Sequence, residues 1–500
     1  MEQVKILIQK SFRIGKIDDH MFGSFVEHMG SVVYNGIFEP DHPTADKDGF
    51  RGDVLTQVRN LGLSVIRYPG GNYTSGYNWE DTIGPVDKRP NKLDPAWRQI
   101  EPNTFGLDEF MNWARQVGAD PIMTVNLGTR GVQDAINLIE YTNFSQGTYY
   151  SDMRRKNGRQ APYKIKTWCL GNELDGEWQV ARKTAQEYGR LAAEAGKAMK
   201  SVDPDIKLVA VGSSAPHLAS YPAWDLDVLK ETYDIADYIS LHHYINQNGD
   251  DLPDYLARAA DVEQQITTVI AACDYVKAVK RSTKTMMLSF DEWNVHKTPD
   301  KIYQEWTTGS PYDWCRYNMP DALVFGSILL TLLRHADRIK IACQSLLVNT
   351  IPLILTEKGG KAWPNPTYWI YQQASLHGRG TVMLSQIVAP TYHTERYGDV
   401  LSVDHLAILN ESEATATIFL INRVDHRLDT EISLDGFKSQ LKSVIQQEMH
   451  HPDLTVTNTG PDSIALKIEA VRQQPNISGN VVFCELQPYS WTMLQVQLEK

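Results

Sequence analysis

The sequence predicts a (β/α)8 TIM barrel followed by an antiparallel β-sandwich, and three observations predict it. Eight short apolar runs between residues 22 and 342 alternate with segments of helical periodicity. Carboxylates, amides, histidines and tyrosines gather just after those runs, at the face where barrel sites lie. From about residue 380 the helical pattern gives way to short runs separated by turn residues, the texture of a sandwich. An open doubly wound sheet would bring a glycine-rich phosphate fingerprint, and neither GxGxxG nor GxxxxGK[ST] occurs.

Two alternating stretches, 4–8 and 11–14, precede the barrel pattern and are expected to pair with something distant. The first barrel strand is 22–27 (FGSFVE), ending in Glu27. A helix over 49–61 follows, with Val54, Leu55, Val58 and Leu61 on one face. The second strand, 63–67, runs into Pro69-Gly70-Gly71-Asn72, where glycine permits a tight turn with φ > 0. Residues 73–104 are too long for a simple connection and read as a binding loop. Helix 107–116, strand 121–127, helix 132–141, strand 165–170 and helix 185–199 continue the alternation. Strand 207–211, helix 225–232, strand 238–242, a long helix over 252–279 and strand 286–290 come next. An aromatic-rich loop (Trp306, Tyr312, Trp314), helix 322–333, strand 339–342 and helix 367–375 complete the barrel. The sandwich strands are expected at 382–388, 401–409, 415–421, 431–434, 465–469, 481–486 and 491–497, joined by the two N-terminal strands. The expected domains are therefore 18–376 for the barrel and 1–17 plus 377–500 for the sandwich.

Bulk properties narrow the function. Hydrophobic residues make up 42% and charged residues 22%, enough for a large core. A net charge of -12 argues against nucleic acid or an anionic membrane as partner. The five cysteines form no CxxC pair and read as free thiols of a reducing compartment. Neither an export-signal pattern nor a window of roughly 18 apolar residues occurs, so a cytoplasmic protein is expected.

Two stretches carry the chemistry. KTWCLGNELDGEW (166–178) is an apolar run that ends at Asn172-Glu173, and MMLSFDEWN (286–294) ends at Asp291-Glu292. A lone Glu after a strand is ordinarily a solvated loop residue. Two, on the fourth and seventh strands of a barrel, can meet across its mouth. A protonated carboxylic acid beside a leaving oxygen and an ionised carboxylate beneath an anomeric carbon are what glycoside hydrolysis needs, roughly 5 Å apart for retention. His242, His243 and His296 with Asp291 suggest a metal site, but the H-x-H that many metal-dependent barrels carry after strand one is absent, so no metal is expected. His243 and His296 are expected to orient carboxylates or substrate.

FGSFVEHMG, IRYPGGNYTSGYNWED, WCLGNELDGEWQ, SLHHY and DEWNV, in this order, resemble the α-L-arabinofuranosidases of glycoside hydrolase family fifty-one over residues 22–356. The resemblance implies a barrel with a jelly-roll sandwich, a retaining mechanism, Glu173 as general acid/base and Glu292 as nucleophile. It assigns Glu27, Asn72, Asn172 and Tyr244 to furanose binding, with Tyr244 donating to Glu292. Trp97 and Trp178 are expected on the leaving-group wall. The sequence departs from the family at His296, where an aromatic, often Trp, is usual, and at Leu346, where a sugar-contacting Gln is usual and Gln344 lies two positions earlier. The resemblance implies exo-action on terminal α-L-arabinofuranosyl residues of arabino-oligosaccharides or arabinoxylan fragments, no cofactor, and a homo-oligomer, commonly a hexamer. The competing readings are a β-xylosidase or endoglucanase of the same clan, and an inactive carbohydrate-binding barrel.

Overall fold

The computed structural model describes residues 3–247, 249–297, 306–309, 315–437 and 441–499. Tyr312 and Trp314 lie outside the described residues. Eight parallel strands close into a barrel in chain order. They are β1 (Gly23–Phe25), β2 (Val65–Tyr68), β3 (Asp120–Thr124), β4 (Thr167–Cys169), β5 (Lys207–Ala210), β6 (Tyr238–Ile245), β7 (Met287–Val295) and β8 (Ile339–Gln344). Closure comes from β8 against β1, with Cys343 opposite Gly23 and Gln344 opposite Ser24.

Two strands differ from their expected extents in a way that matters for the site. β6 and β7 run on together past positions 242 and 290, pairing Glu292 with His242 and Asn294 with Tyr244. Glu292 is thus an in-strand residue, whereas Glu173 lies beyond the end of β4. The long helix expected over 252–279 is broken into Leu252–Ala257 and Ala259–Lys280. Helix Tyr149–Lys156 has no counterpart in the sequence reading. The loop over 73–104 contains a small antiparallel ribbon, Lys92–Asp94 with Gln99–Glu101, and Trp97 sits in its turn.

The second sheet has ten strands and is mixed rather than purely antiparallel. The two expected N-terminal strands are one, Gln3–Lys16, antiparallel to Thr381–Val388 and parallel to Leu428–Asp435. Leu441–Met449 and the separate hairpin Thr391–Thr394 with Gly398–Leu401 were not anticipated from the sequence. The strand expected over 465–469 is reduced to the two-residue Glu469–Ala470.

Helix Met319–Arg334 explains how the sheet and barrel join. It is apolar around most of its circumference and buried along nearly its whole length, because barrel and sheet each cover one side. A Cβ at Gly326 would lie 2.9 Å from the Trp491 ring, so glycine there allows the sheet to seat. Trp491 Nε1 donates to Gln373 Oε1 at 2.7 Å, and Asp404 accepts from Arg334 and Arg423, both at 2.7 Å. All five cysteines are free, and no helix among the described residues is long and apolar enough to cross a membrane.

Candidate active site

The C-terminal ends of β1, β2, β4, β6 and β7 converge on a cavity of about 810 Å³. Glu27, Asn72, Trp97, Glu173, Trp178, His243, Tyr244, Glu292 and His296 all line it. Glu173 and Glu292 are buried, and an oxygen of each lies within 4.8 Å of the other and of a nitrogen of His242.

Glu173 leaves β4 in the left-handed region (φ 46), just after Gly171 at φ 103. That turn swings its carboxylate inward. Oε1 faces His242 Nδ1 at 2.8 Å, and Oε2 accepts from the Trp178 indole at 2.7 Å. Burial first, then the negative charge of Glu292, raises its pKa. Glu292 is held differently. Oε1 accepts from Arg67 Nη2 at 2.5 Å, and Oε2 accepts from Tyr244 OH at 2.6 Å. Tyr244 OH also lies 2.9 Å from Ser345 Oγ.

Arg67, on β2, organises the floor. Both Nη atoms donate to Asn172 Oδ1 at 3.1 Å, while Asn172 Nδ2 donates to Asn72 Oδ1 at 3.4 Å. Burial opposes the guanidinium charge, but Glu292 and Asp291 outweigh it and keep Arg67 protonated. Asp291 is likewise held below the usual carboxylate range: burial works against it, and Arg67 and His242 prevail. His242 bridges the carboxylates, with Nε2 3.3 Å from Asp291 Oδ1 and Nδ1 3.5 Å from Glu292 Oε2. Burial alone would strip its proton. Glu292, Asp291 and Glu173 reverse that and raise its pKa to about 10.

Glu27 sits deeper. Its Oε1 accepts from Tyr73 N at 3.0 Å and from Trp97 Nε1 at 2.6 Å. Burial and the charge of Glu292 push its pKa well up, which favours a neutral acid able to donate as well as accept. Gly71, at φ 63, is required beside it: a Cβ there would lie 2.0 Å from Glu27 Oε2.

The sequence reading missed Arg67 and His242 as site residues. The signal for His242 was present in SLHHY: alternate residues of a strand share a face, so His242 points with Tyr244 toward Glu292. His243 turns to the other side. Of the two partners expected for it, carboxylates or substrate, its Nδ1 meets neither carboxylate but Gln265 Oε1 at 2.7 Å, and the residue lines the cavity. His296 packs edge-on against Tyr244 with ring centroids 6.1 Å apart. His242, His243, His296 and Asp291 therefore do not form one cluster; among the described residues the group close enough to share an ion is Glu173, His242 and Glu292. Their facing atoms are engaged with one another and with Arg67, Tyr244 and Trp178. Gln344 is buried in β8 and donates to Ser345 O at 2.5 Å, while Leu346 lines the cavity.

Comparison with known proteins places this site in a family. The chain matches the model of the α-L-arabinofuranosidase 1 domain over residues 57–284 and that of the α-L-arabinofuranosidase C-terminal domain over 291–490. It is 47% identical to an intracellular exo-α-(1→5)-L-arabinofuranosidase of Bacillus subtilis, covering 99% of both chains. It is 40% identical to an exo-α-(1→6)-L-arabinofuranosidase of Bifidobacterium longum, covering 99% of this chain and 98% of the other. The solved structure of a family 51 α-L-arabinofuranosidase from Bifidobacterium longum superposes with a TM-score of 0.95 at 36% identity, covering 99% of each chain. The arabinose complex of the Thermotoga maritima enzyme superposes at 0.88 and 31% identity, covering 99% of this chain and 100% of the other. The chain belongs to the family 51 α-L-arabinofuranosidases.

Proposed function

We propose that this glycoside hydrolase removes terminal non-reducing α-L-arabinofuranosyl residues from arabino-oligosaccharides or arabinoxylan fragments by a retaining double displacement. The single observation that carries the mechanism is the approach of Glu173 and Glu292 to within 4.8 Å. Retention needs carboxyl groups roughly 5 Å apart, and inversion needs several ångström more to admit a water.

Glu292 attacks the anomeric carbon while Glu173 gives its proton to the departing glycosidic oxygen. The C–O bond breaks and a glycosyl ester forms on Glu292. Glu173, now ionised, takes a proton from water, the water attacks the anomeric carbon, and Glu292 leaves. The buried charges support this cycle. Arg67 and His242 bring positive charge to Asp291 and Glu292, and the raised pKa of Glu173 favours its acid form before reaction. By the family resemblance Asn172, held by Arg67 and bonded to Asn72, takes a sugar hydroxyl next to the acid. Glu27 and Asn72 supply further polar groups for the furanose, and a site paired to those hydroxyls rejects sugars that place them elsewhere. Trp97 and Trp178 form the leaving-group wall, and His296 adds a further ring to the lining. The names of the relatives, intracellular and acting on arabinofuranosyl linkages, support a cytoplasmic enzyme working on short substrates. A homo-oligomer, a hexamer by family resemblance, is part of this reading and is checked by sedimentation.

The test uses 4-nitrophenyl α-L-arabinofuranoside and added azide. In Glu173→Ala, azide should intercept the ester on Glu292 and give the arabinofuranosyl azide of retained α configuration. In Glu292→Ala, azide should replace the nucleophile and give the inverted β azide. The same anomer from both variants would overturn the assignment of roles, and an inactive wild type would overturn the sugar specificity.

A further inference from the structure

The cavity has room for more than one sugar ring. At about 810 Å³ it lies near the upper end of the volumes that enclose multi-ring ligands, and the groups around the two carboxylates account for only part of its lining. The rest is a polar shelf built from His217, Tyr221, Arg258, Asp261, Gln264 and Arg396. We propose, on the arabinofuranosidase reading above, that this shelf binds the neutral sugar units beyond the scissile bond on the leaving side, and that Arg396 sets the preference for an oligosaccharide chain over a short aglycone.

Arg396 is the lining residue that comes from beyond position 351, and it arrives from the second sheet's side of the molecule. It sits in the turn of the hairpin Thr391–Thr394 with Gly398–Leu401, which pairs with no other strand among the described residues. The turn is closed by Thr394, whose Oγ1 donates to Gly398 O at 2.9 Å and accepts from Tyr397 N at 3.0 Å. The hairpin docks on the barrel through the same arginine. Arg396 N donates to Asp254 Oδ1 at 3.1 Å and Arg396 Nη2 to Asp261 Oδ2 at 3.0 Å. Its guanidinium carbon lies 5.4 Å from the Tyr397 ring centroid. The fork is thereby fixed at one corner, its other N–H groups have no protein partner among the described residues, and the side chain remains 48% exposed.

The charges select the ligand class. Arg258 pairs with Asp250 at 2.7 Å and with Asp261 at 3.1 Å, so two guanidinium groups face Asp250, Asp254 and Asp261. The shelf carries no surplus positive charge for an anionic sugar. It offers preorganised donors, which suit vicinal hydroxyls. The shelf also adjoins the catalytic end: His243 follows His242 in β6, reaches Gln265, and feels Asp261, Arg258 and His217.

The experiment compares kcat/KM for 4-nitrophenyl α-L-arabinofuranoside and for α-(1→5)-arabinotriose in wild type, Arg396→Ala and Gln264→Ala. Gln264 lines the shelf from the barrel side and does not hold the hairpin, so it separates a sugar contact from a structural clamp. The ratio of trisaccharide to aryl-glycoside kcat/KM should fall roughly tenfold in Arg396→Ala and less in Gln264→Ala, mostly through KM. An unchanged ratio in both variants would overturn the proposal and leave the hairpin as a clamp. Failure of the wild type to cleave the aryl arabinofuranoside would instead remove the sugar specificity on which the proposal rests, a result visible before any variant is made.

Discussion

The ends of β4 and β7 carry the same kind of sequence, an apolar run followed by a polar residue and a glutamate, yet the fold gives them opposite surroundings. Glu173 leaves its strand through a left-handed turn and meets an indole N–H and a histidine. Glu292 stays within the barrel wall, in register with His242, and meets a full guanidinium charge and a tyrosine hydroxyl. Burial and the neighbouring Glu292 charge favour the proton on Glu173. In the proposed mechanism two carboxylates of one chemistry take the roles of acid and nucleophile, and their different surroundings support that division. The motif says where a carboxylate is delivered; the environment says what it does.

The largest effect that tests this contrast is Glu292→Ala. With the nucleophile gone no ester forms, and kcat should fall roughly 10⁴-fold or more on every substrate. Glu173→Ala should instead read the leaving group. 4-Nitrophenolate departs without a proton, so its release suffers little, whereas cleavage of an arabino-disaccharide should slow roughly 10²- to 10⁴-fold. Equal losses on both substrates would erase the distinction. The pH profile carries the same sign. Because the pKa of Glu173 is raised by burial and by Glu292, kcat/KM should fall as pH climbs through a value above the usual carboxylate range. This alkaline limb should be steep on the arabino-disaccharide and shallow on the aryl substrate, whose leaving group needs no proton.

Arg67→Met tests the contrast through stability. Glu292, Asp291 and Asn172 would all lose their cation in a buried site, and orphaning a buried ion pair costs roughly 3–5 kcal/mol. Glu173→Gln removes no fixed cation and should cost far less. Urea unfolding of both variants measures the difference, and equal midpoints would show that Arg67 is not what distinguishes the two ends.

The barrel was legible because its strands are buried on both faces and therefore read as continuous apolar runs, as in Trp168-Cys169-Leu170 and Leu288-Ser289-Phe290. The carboxylate pair was legible because it follows two such runs. Less visible were contacts made across the barrel. Arg67 looked like the end of a strand, and only closure brings it to Glu292, 225 positions away. His242 and His243 are not told apart in the sequence because strand ends are poorly marked: the continuation of β6 past 242 to Ile245 is what decides which histidine points at the carboxylate pair. The hairpin that carries Arg396 escaped for a related reason. Its four-residue strands pair only with each other, and their burial alternates too weakly to show as a pattern.

The smallest predicted change concerns the residue that touches both ends. His242 bonds Glu173 and also faces Glu292 and Asp291, and its charge and hydrogen bond pull the pKa of Glu173 down against the stronger effects of burial and Glu292. His242→Gln keeps a donor of similar reach but removes the charge. Glu173 should then hold its proton more tightly, and the alkaline limb of kcat/KM should move to higher pH. With its pKa raised to about 10 by the surrounding carboxylates, the imidazolium should give the wild type an inflection there that the variant lacks. Turnover of the ester, which needs Glu173 ionised to take a proton from water, should slow in the same variant and make kcat fall more than kcat/KM. A variant that lost activity with an unmoved limb would make His242 a packing residue, and the two strand ends would then be tuned independently rather than through the histidine between them.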